Sequence, residues 1–258
     1  MKPAVATRLH VQAPLSAGVE VEIGGDRVHY LRDVLRLGPG APLRLFNSRD
    51  GEWRAAIGKL TKAGGRLTVE SQTRKQDAAP DLWLVFAATK RAAIDLIAEK
   101  ATELGVSCLQ PVITQNTHVD RVNTDRLRAI AIEAAEQCER LTVPEIRAPI
   151  ALARLLAEWP ADRRVAACVE AGEARPIAAA LSAYSGDTAS SSWAILIGPE
   201  GGWAPAELDA IGKNPTFIPV GLGPRILRAE TAALAAIACW QAILGDKTQR
   251  PPLRGSAN

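Results

Sequence analysis

The chain has 258 residues, 47% hydrophobic and 23% charged, with a formal net charge of +3, the composition of a globular protein of one large or two modest domains. Its most apolar stretch, Thr231 to Leu244, is about 14 residues long and interrupted by Gln241, so it suits a buried helix and excludes a membrane span. Four cysteines without CxxC spacing (Cys108, Cys138, Cys168, Cys239), isolated histidines (His10, His29, His118) and an N-terminus without a signal-peptide core argue for a reduced, cytoplasmic protein with no metal site. The charge divides unevenly: residues 1–80 hold 13 Lys/Arg against 8 Asp/Glu, and residues 81–258 hold 18 against 20. A basic first module suits a phosphate-rich partner, although a solvated basic surface would give the same count.

In the first module, Asp26 to Leu37 spaces Val28, Leu31, Val34, Leu35 and Leu37 at a helical period, with Arg27, Arg32 and Arg36 on the polar side. Gly38-Pro39-Gly40 ends that short helix. Pro42 to Phe46, Trp53 to Leu60 and Arg66 to Glu70 read as strands, joined by the turns Asn47–Gly51 and Ala63-Gly64-Gly65. The expectation is a small β-barrel or sandwich over residues 1–73, followed by a linker in the polar, proline-ended stretch Arg74 to Pro80.

From residue 81 the pattern alternates strand and helix. Leu82 to Ala88 is a continuous apolar run suited to a buried parallel strand, and Lys90 to Leu104 is a helix that Gly105 terminates. Val106 to Ile113, Arg164 to Val169, Trp193 to Ile197 and Thr216 to Val220 supply further strands. Helices are expected at Asp125–Arg140, Leu152–Trp159, Glu173–Ala183, Pro205–Ile211 and Arg228–Leu244. Such alternation implies an α/β domain over residues 81–250, with a largely parallel sheet covered by helices. Ser185 to Ser192 reads as a mobile small-residue loop and Gly245 to Asn258 as a frayed tail.

Two strand-to-helix junctions carry the chemistry. In IGPEGGW, Ile197 to Trp203, Gly198 and Pro199 stop a strand, Gly201 and Gly202 permit positive φ or close approach of a ligand, and Pro205 opens a helix. In LGPRILRAET, Leu222 to Thr231, a glycine turn carries Arg225 and Arg228 to the start of an alanine-rich helix, where cations oppose the helix dipole unless an anion or polar substrate offsets them. Free backbone N–H groups at helix starts, beyond the carboxyl ends of strands, form a ligand crevice in α/β proteins. Neither junction is a Walker A loop or a GxGxxG fingerprint, so a nucleoside triphosphate or NAD is unsupported; a tight turn needing glycine for geometry alone is the competing reading.

These two junctions, with KATELGV (Lys100 to Val106), EAAEQCERLTVPEI (Glu133 to Ile146) and HYLRDVLRLGPG (His29 to Gly40), resemble the RsmE family, bacterial 16S ribosomal RNA uridine N3-methyltransferases of the SPOUT class. The resemblance runs through most of the chain. It implies a PUA-like β-barrel RNA-binding domain, a SPOUT domain with a deep trefoil knot, S-adenosyl-L-methionine as cofactor, homodimerisation, and a uridine in the decoding region of the small-subunit RNA as target. Carried over by residue, the cofactor pocket comprises Val169, Glu170, Ile197, Gly198, Pro199, Glu200, Gly201, Gly202, Val220, Leu222, Gly223, Ile226, Leu227 and Thr231. Arg228, Glu230 and Arg225 are the catalytic candidates, and Arg8, Arg27, Arg32, Arg36, Lys90, Arg91, Gln137 and Arg140 the RNA contacts; Glu133, Gln137 and Arg140 would share one helix face.

Two departures stand out. Gln115-Asn116 replaces the Glu-Arg usual in the family after the second strand of the domain, and Arg8-Leu9-His10 stands where an aromatic pair commonly follows the arginine. N3 methylation requires loss of the N3 proton, because the neutral imide nitrogen has no available lone pair. Arg228 with Arg225 would stabilise charge on the uracil carbonyl oxygens, and Glu230 or Glu200 would position the base or take its proton. The target base would be unpaired or flipped out. Competing readings are a SPOUT enzyme with another ribosomal or transfer RNA target, and a non-catalytic RNA-binding assembly protein.

Overall fold

The computed structural model describes residues 7–76, 79–117, 121–169, 174–186 and 192–246, which fall into two compact units. Among the described residues, the first comprises those of 1–78 with 135–143, and the second those of 79–134 with 144–253.

The first unit contains β1 (Arg8–His10), β2 (Glu20–Gly24), α1 (Gly25–His29), a π-helical turn over Tyr30–Val34, β3 (Pro42–Asn47), β4 (Gly51–Leu60) and β5 (Gly64–Arg74). The strands form one sheet in the order β1-β3-β4-β5-β2, with β1 parallel to β3 and the remaining pairs antiparallel. Alternation decides the inner face: in β2, Val21 and Ile23 are buried between exposed Glu20 and Glu22. Leu9, Val21, Leu43, Leu45, Ala55, Ile57, Leu67 and Val69 share one core with Val28 and Leu31. The outer strands β1 and β2 contribute to that same core without being hydrogen-bonded neighbours, so the expected barrel takes the form of a curled five-stranded sheet. The helix predicted over residues 26–37 is shorter and changes winding at Tyr30, leaving Val34 58% exposed rather than on the apolar face.

The second unit contains β6 (Leu82–Ala87), α2 (Arg91–Glu103), β7 (Cys108–Ile113), α3 (Thr124–Gln137), β8 (Glu145–Ile146), β9 (Ile150–Ala151) and α4 (Leu152–Ala157). It continues with β10 (Arg164–Cys168), β11 (Arg175–Pro176), α5 (Ile177–Ser182), β12 (Trp193–Ile197), α6 (Pro205–Lys213), β13 (Phe217–Gly221) and α7 (Ala229–Ile243). The last residues of α3, from Ala135, belong to the first unit. The sheet runs β11-β13-β10-β12-β6-β7-β8, with β9 also on β7, and every pair is parallel. Helices cover both faces of a parallel sheet, which explains why β12 is buried at all five positions rather than alternating. Trp193, Leu82, Leu84 and Phe86 are fully buried, each contributing roughly 1.5–3 kcal/mol of transfer free energy.

The alanines of α7 let it pack closely: Ala233 and Ala236 are fully buried, and α7 contacts α2, α5, β6 and β12. Gln241, which interrupts the apolar run, is 1% exposed because its amide donates to Leu104 O (2.7 Å) at the end of α2 and its carbonyl accepts Asp246 N (3.1 Å). That end is where Gly105 adopts φ 87°. Most of the predicted mobile loop and of the predicted tail lies outside the described residues. No helix among the described residues is long and apolar enough to cross a membrane.

Candidate functional site

Strands β13, β10 and β12 are adjacent and parallel, so their carboxyl ends at Gly221, Cys168 and Ile197 lie side by side at one edge of the sheet. This is where open α/β sheets bind ligands. Both glycine junctions therefore belong to one edge, with the end of β10 between them.

The 198–204 loop has a defined internal architecture. Gly202 N donates to Pro199 O (2.9 Å), closing a turn that needs φ 72° at Gly202. The Trp203 indole folds back over Gly198, where a Cβ would lie 2.8 Å from the ring, and donates from Nε1 to Cys168 O (3.2 Å). Gly198 is thus required by close packing, and Trp203 joins the ends of β12 and β10. Glu207 caps α6 by accepting Ala204 N (2.9 Å) through Oε2, while its Oε1 accepts Gln115 N (2.8 Å) from the loop after β7. From that loop, Asn116 Nδ2 donates to Gly201 O (3.2 Å) and Gly202 O (2.9 Å).

Among the predicted cofactor residues, Val169, Ile197, Pro199 and Val220 are buried at or just past the carboxyl ends of β10, β12 and β13. Glu200, Gly201, Gly223 and Thr231 are exposed, whereas Gly198, Gly202, Leu222 and Leu227 are half-buried. Ile226 is 87% exposed, so its side chain forms no packed wall. Glu170 lies outside the described residues. The space beside Gly202 and Gly223 is open, with no atom within 4 Å of an added Cβ, and Gly223 has φ 102°. Backbone is thereby presented bare to whatever lies against it.

Arg225 and Arg228 are exposed and carry no ion pair among the described residues. Arg228 is the residue just before α7, and Glu230 in its first turn has a buried Oε2 with no hydrogen-bond partner. A second orphan, Thr89 Oγ1, belongs to a residue 6% exposed just past the carboxyl end of β6, the strand beside β12. Buried polar atoms without partners are uncommon in folded proteins, and their occurrence at this edge leaves donors and acceptors for a ligand. Burial pushes the Cys168 thiol up to about 12, with Cys239 adding to it, so Cys168 stays protonated and is no nucleophile at neutral pH. No metal-binding cluster occurs among the described residues.

The predicted RNA contacts divide. Arg8 is a correction: it is 8% exposed, and its guanidinium donates to Glu52 (2.7 Å), Ala135 O (2.9 Å), Glu136 O (3.1 Å) and Arg140 O (3.2 Å) while lying over Phe46. A buried guanidinium with four of its five N–H donors committed inside the fold is not presented to phosphate. Arg140 is a second correction, because α3 ends at Gln137 and Glu139 turns the chain at φ 61°, which takes Arg140 off the helix face shared by Glu133 and Gln137. The correction concerns the helix face alone: the Arg140 guanidinium is half-buried and donates to Thr142 Oγ1 (3.1 and 2.8 Å). Arg27 pairs with Glu136 (2.7 Å) and Arg32 with Asp33 (2.8 Å). Gln137, Arg36, Lys90 and Arg91 are exposed; Arg36 has no ion pair among the described residues, and Arg91 lies 3.8 Å from Asp95.

Asn116, Glu207, Trp203 and Thr89 were absent from the sequence-based site. Trp203 closes the IGPEGGW motif and Asn116 belongs to the Gln115-Asn116 pair, but their partners are tens of residues away in the chain.

The family model described as an RNA methyltransferase domain matches residues 76–241, and that described as an RNA methyltransferase PUA domain matches residues 23–69. The ribosomal RNA small subunit methyltransferase E of Rickettsia conorii is 34% identical over 232 residues, covering 90% of this chain and 93% of that protein. Its namesake from Synechocystis is 32% identical over 93% of this chain and 78% of its own length. Among solved structures, the ribosomal RNA small subunit methyltransferase E of Neisseria gonorrhoeae bound to S-adenosyl methionine has a TM-score of 0.81 at 29% identity, covering 93% of this chain and 98% of its own. A putative methyltransferase from Legionella pneumophila in complex with the same cofactor has a TM-score of 0.80 at 27% identity, covering 94% and 100%.

Proposed function

The chain belongs to the ribosomal RNA small subunit methyltransferase E family of RNA methyltransferases, and from that premise we propose that it methylates N3 of one uridine in the decoding region of 16S ribosomal RNA. The observation that carries the reading is the convergence of bare glycine backbone, exposed Arg225 and Arg228 and the unpartnered Glu230 carboxylate at one edge of the sheet.

The residues present fit S-adenosylmethionine. Buried Ile197, Pro199 and Val220 give an apolar floor, and open backbone at Gly202 and Gly223 admits a flat ring and a ribose. When bound, this cofactor supplies a methyl group on a sulfonium. The chain's own residues do the rest: Arg228, with Arg225, stabilises the negative charge that appears on the uracil carbonyl oxygens as the N3 proton leaves. Glu230 or Glu200 takes that proton or fixes the base, and the loops hold the acceptor nitrogen in line with the donor. Exposed Arg36 in the first unit and Lys90 and Arg91 in the second face phosphate.

The proposal includes action on the small ribosomal subunit in the cytoplasm, a homodimer, and the deep trefoil knot of the SPOUT class. Half-buried Leu234, Ala235, Ala238 and Ile243 along α7 support a subunit contact there. The position of β10 between the later strands β12 and β13 supports a threaded topology. Mass mapping of ribosomal RNA from a strain lacking the gene tests the reaction. Loss of a single base methylation from the small subunit is expected, with restoration by purified protein and S-adenosylmethionine. An unchanged methylation map, or loss from transfer RNA, would sink it.

A further inference from the structure

We propose that Asn116 is a positioning residue that holds the 198–202 loop in its cofactor-binding shape, an inference that rests on the methyltransferase reading above. Its amide donates to two successive carbonyls, Gly201 O at 3.2 Å and Gly202 O at 2.9 Å. Consecutive carbonyls on one side-chain nitrogen fix both peptide planes, adding to the Gly202 N–Pro199 O turn bond a restraint that the flanking glycines cannot supply themselves. The contact is also steric: a Cβ at Gly201 would lie 3.2 Å from Asn116 Cβ, so the loop lies directly against this side chain.

Asn116 is itself held. Thr114 N donates to Thr117 Oγ1 (3.0 Å), the two hydroxyls are 2.8 Å apart, and Thr117 N donates to Thr114 O (3.2 Å), closing the short loop after β7. Gln115 N then donates to Glu207 Oε1 (2.8 Å), the side chain that also caps α6. The loop after β7 thus braces the C-terminal side of the glycine loop at two points, through Asn116 at residues 201–202 and through Glu207 at the start of α6. The short amide here commits its N–H groups to the loop carbonyls and leaves no cation at that point. Asn116 is thereby a fixed strut between the loop after β7 and the glycine loop.

Calorimetry with S-adenosylmethionine on the full chain tests this. Asn116→Ala is expected to raise Kd about tenfold, the combined loss of two exposed-to-half-buried hydrogen bonds. In turnover, KM for S-adenosylmethionine should rise in parallel while kcat at saturating donor stays within about twofold. Asn116→Asp keeps the shape but turns a donor into a carboxylate facing two carbonyls. It should bind at least as weakly at neutral pH and recover as the pH falls and the protonated carboxyl can donate again, whereas wild type shows no such recovery. Thermal melts of both variants close to wild type would show that the fold is intact. Wild-type affinity in Asn116→Asp at neutral pH would overturn the inference, since shape alone would then suffice. No binding by the unaltered protein would instead overturn the function on which it rests.

Discussion

The two edges of the parallel sheet are built on opposite terms. At the amino edge, Asp81 accepts hydrogen bonds from Arg163 (2.6 Å), Ser192 (2.9 Å) and Ser107 (3.1 Å), tying together the starts of β6, β10, β12 and β7. Arg163 also donates to Trp193 O (3.0 Å) and lies 3.8 Å over the Trp83 ring. At the carboxyl edge, Thr89 Oγ1 and Glu230 Oε2 are buried without partners, and Arg225 and Arg228 stand free of carboxylates among the described residues. The amino edge ties its carboxylate, guanidinium and hydroxyls to one another, with Arg163 Nε left buried and unpartnered; the carboxyl edge leaves two side-chain oxygens and two cations unpaired among the described residues. Leaving them unpaired costs stability, and such costs concentrate where a ligand completes the set. Changes at the carboxyl edge should therefore move activity more than stability, and changes at the amino edge the reverse.

The largest expected effect is Arg228→Ala. If this guanidinium stabilises charge on the departing-proton side of the uracil, kcat falls about 10²–10³-fold, as on removal of one oxyanion donor, with S-adenosylmethionine affinity and Tm unchanged. Near-normal turnover on intact small subunits would remove Arg228 from the mechanism. Gly198→Ala comes next: its Cβ would meet the Trp203 ring at 2.8 Å, so the ring or the loop must shift and the Trp203–Cys168 bond is lost. A shift approaching 1 Å in a positioning loop costs on the order of 10²-fold in kcat/KM. Paired change with Trp203→Ala removes the collision, and partial recovery of S-adenosylmethionine binding in the double variant would confirm that the ring is the obstacle.

Much of this contrast was legible in the chain. Gly105 ended α2 where expected, the apolar runs of β6 and β12 read as buried strands, and both glycine junctions fell at strand ends. What escaped has physical reasons. Strands β8, β9 and β11 are two residues long, too short to show a period, and exist because neighbouring strands supply the ladder. Arg8 has the residue type of a phosphate contact, and no local pattern reveals that it caps a helix end 127 residues away in the chain. The end of α3 depends on Glu139 in the left-handed region, where sequence offers no glycine to announce it. Asn116 and Glu207 matter through partners 85 to 92 residues distant, so only the fold could pair them.

The amino edge gives the converse prediction. Arg163→Ala deletes a cation that is 7% exposed together with its stacking on Trp83 and leaves Asp81 and Trp193 O short of a donor, a loss of about 3 kcal/mol. Asp81→Asn is milder, about 1–2 kcal/mol, because its side chain is 43% exposed and solvent screens what remains. Neither change should alter S-adenosylmethionine affinity at a temperature where the fold holds. Asp81 also predicts a pH signature. Burial pushes its carboxyl up, but bonds from Arg163, Ser192 and Ser107 outweigh burial and leave it lowered overall. A lowered folded-state carboxyl contributes stability above its unfolded value of about 3.9 and loses it as the pH falls through the folded value. The Tm gap between wild type and Asp81→Asn should accordingly be flat above about pH 5 and close on acidification. A gap that widened in acid would reverse the assignment.

Thr89→Val carries the smallest effect and separates the two edges most cleanly. Valine matches threonine in shape, so the substitution removes a buried hydroxyl that has no partner in the fold and leaves the packing intact. At an edge built for stability, deleting a polar group destabilises. Here the desolvation penalty disappears and nothing in the fold is lost, so the variant should be more stable by about 1 kcal/mol, a rise in Tm of a few degrees. If the hydroxyl is withheld for the site, the same variant should be slower on small subunits, gaining stability and losing turnover together. A variant that lost stability would show that Thr89 has a partner within the fold, and the contrast between the edges would then rest on Glu230 and the two arginines alone.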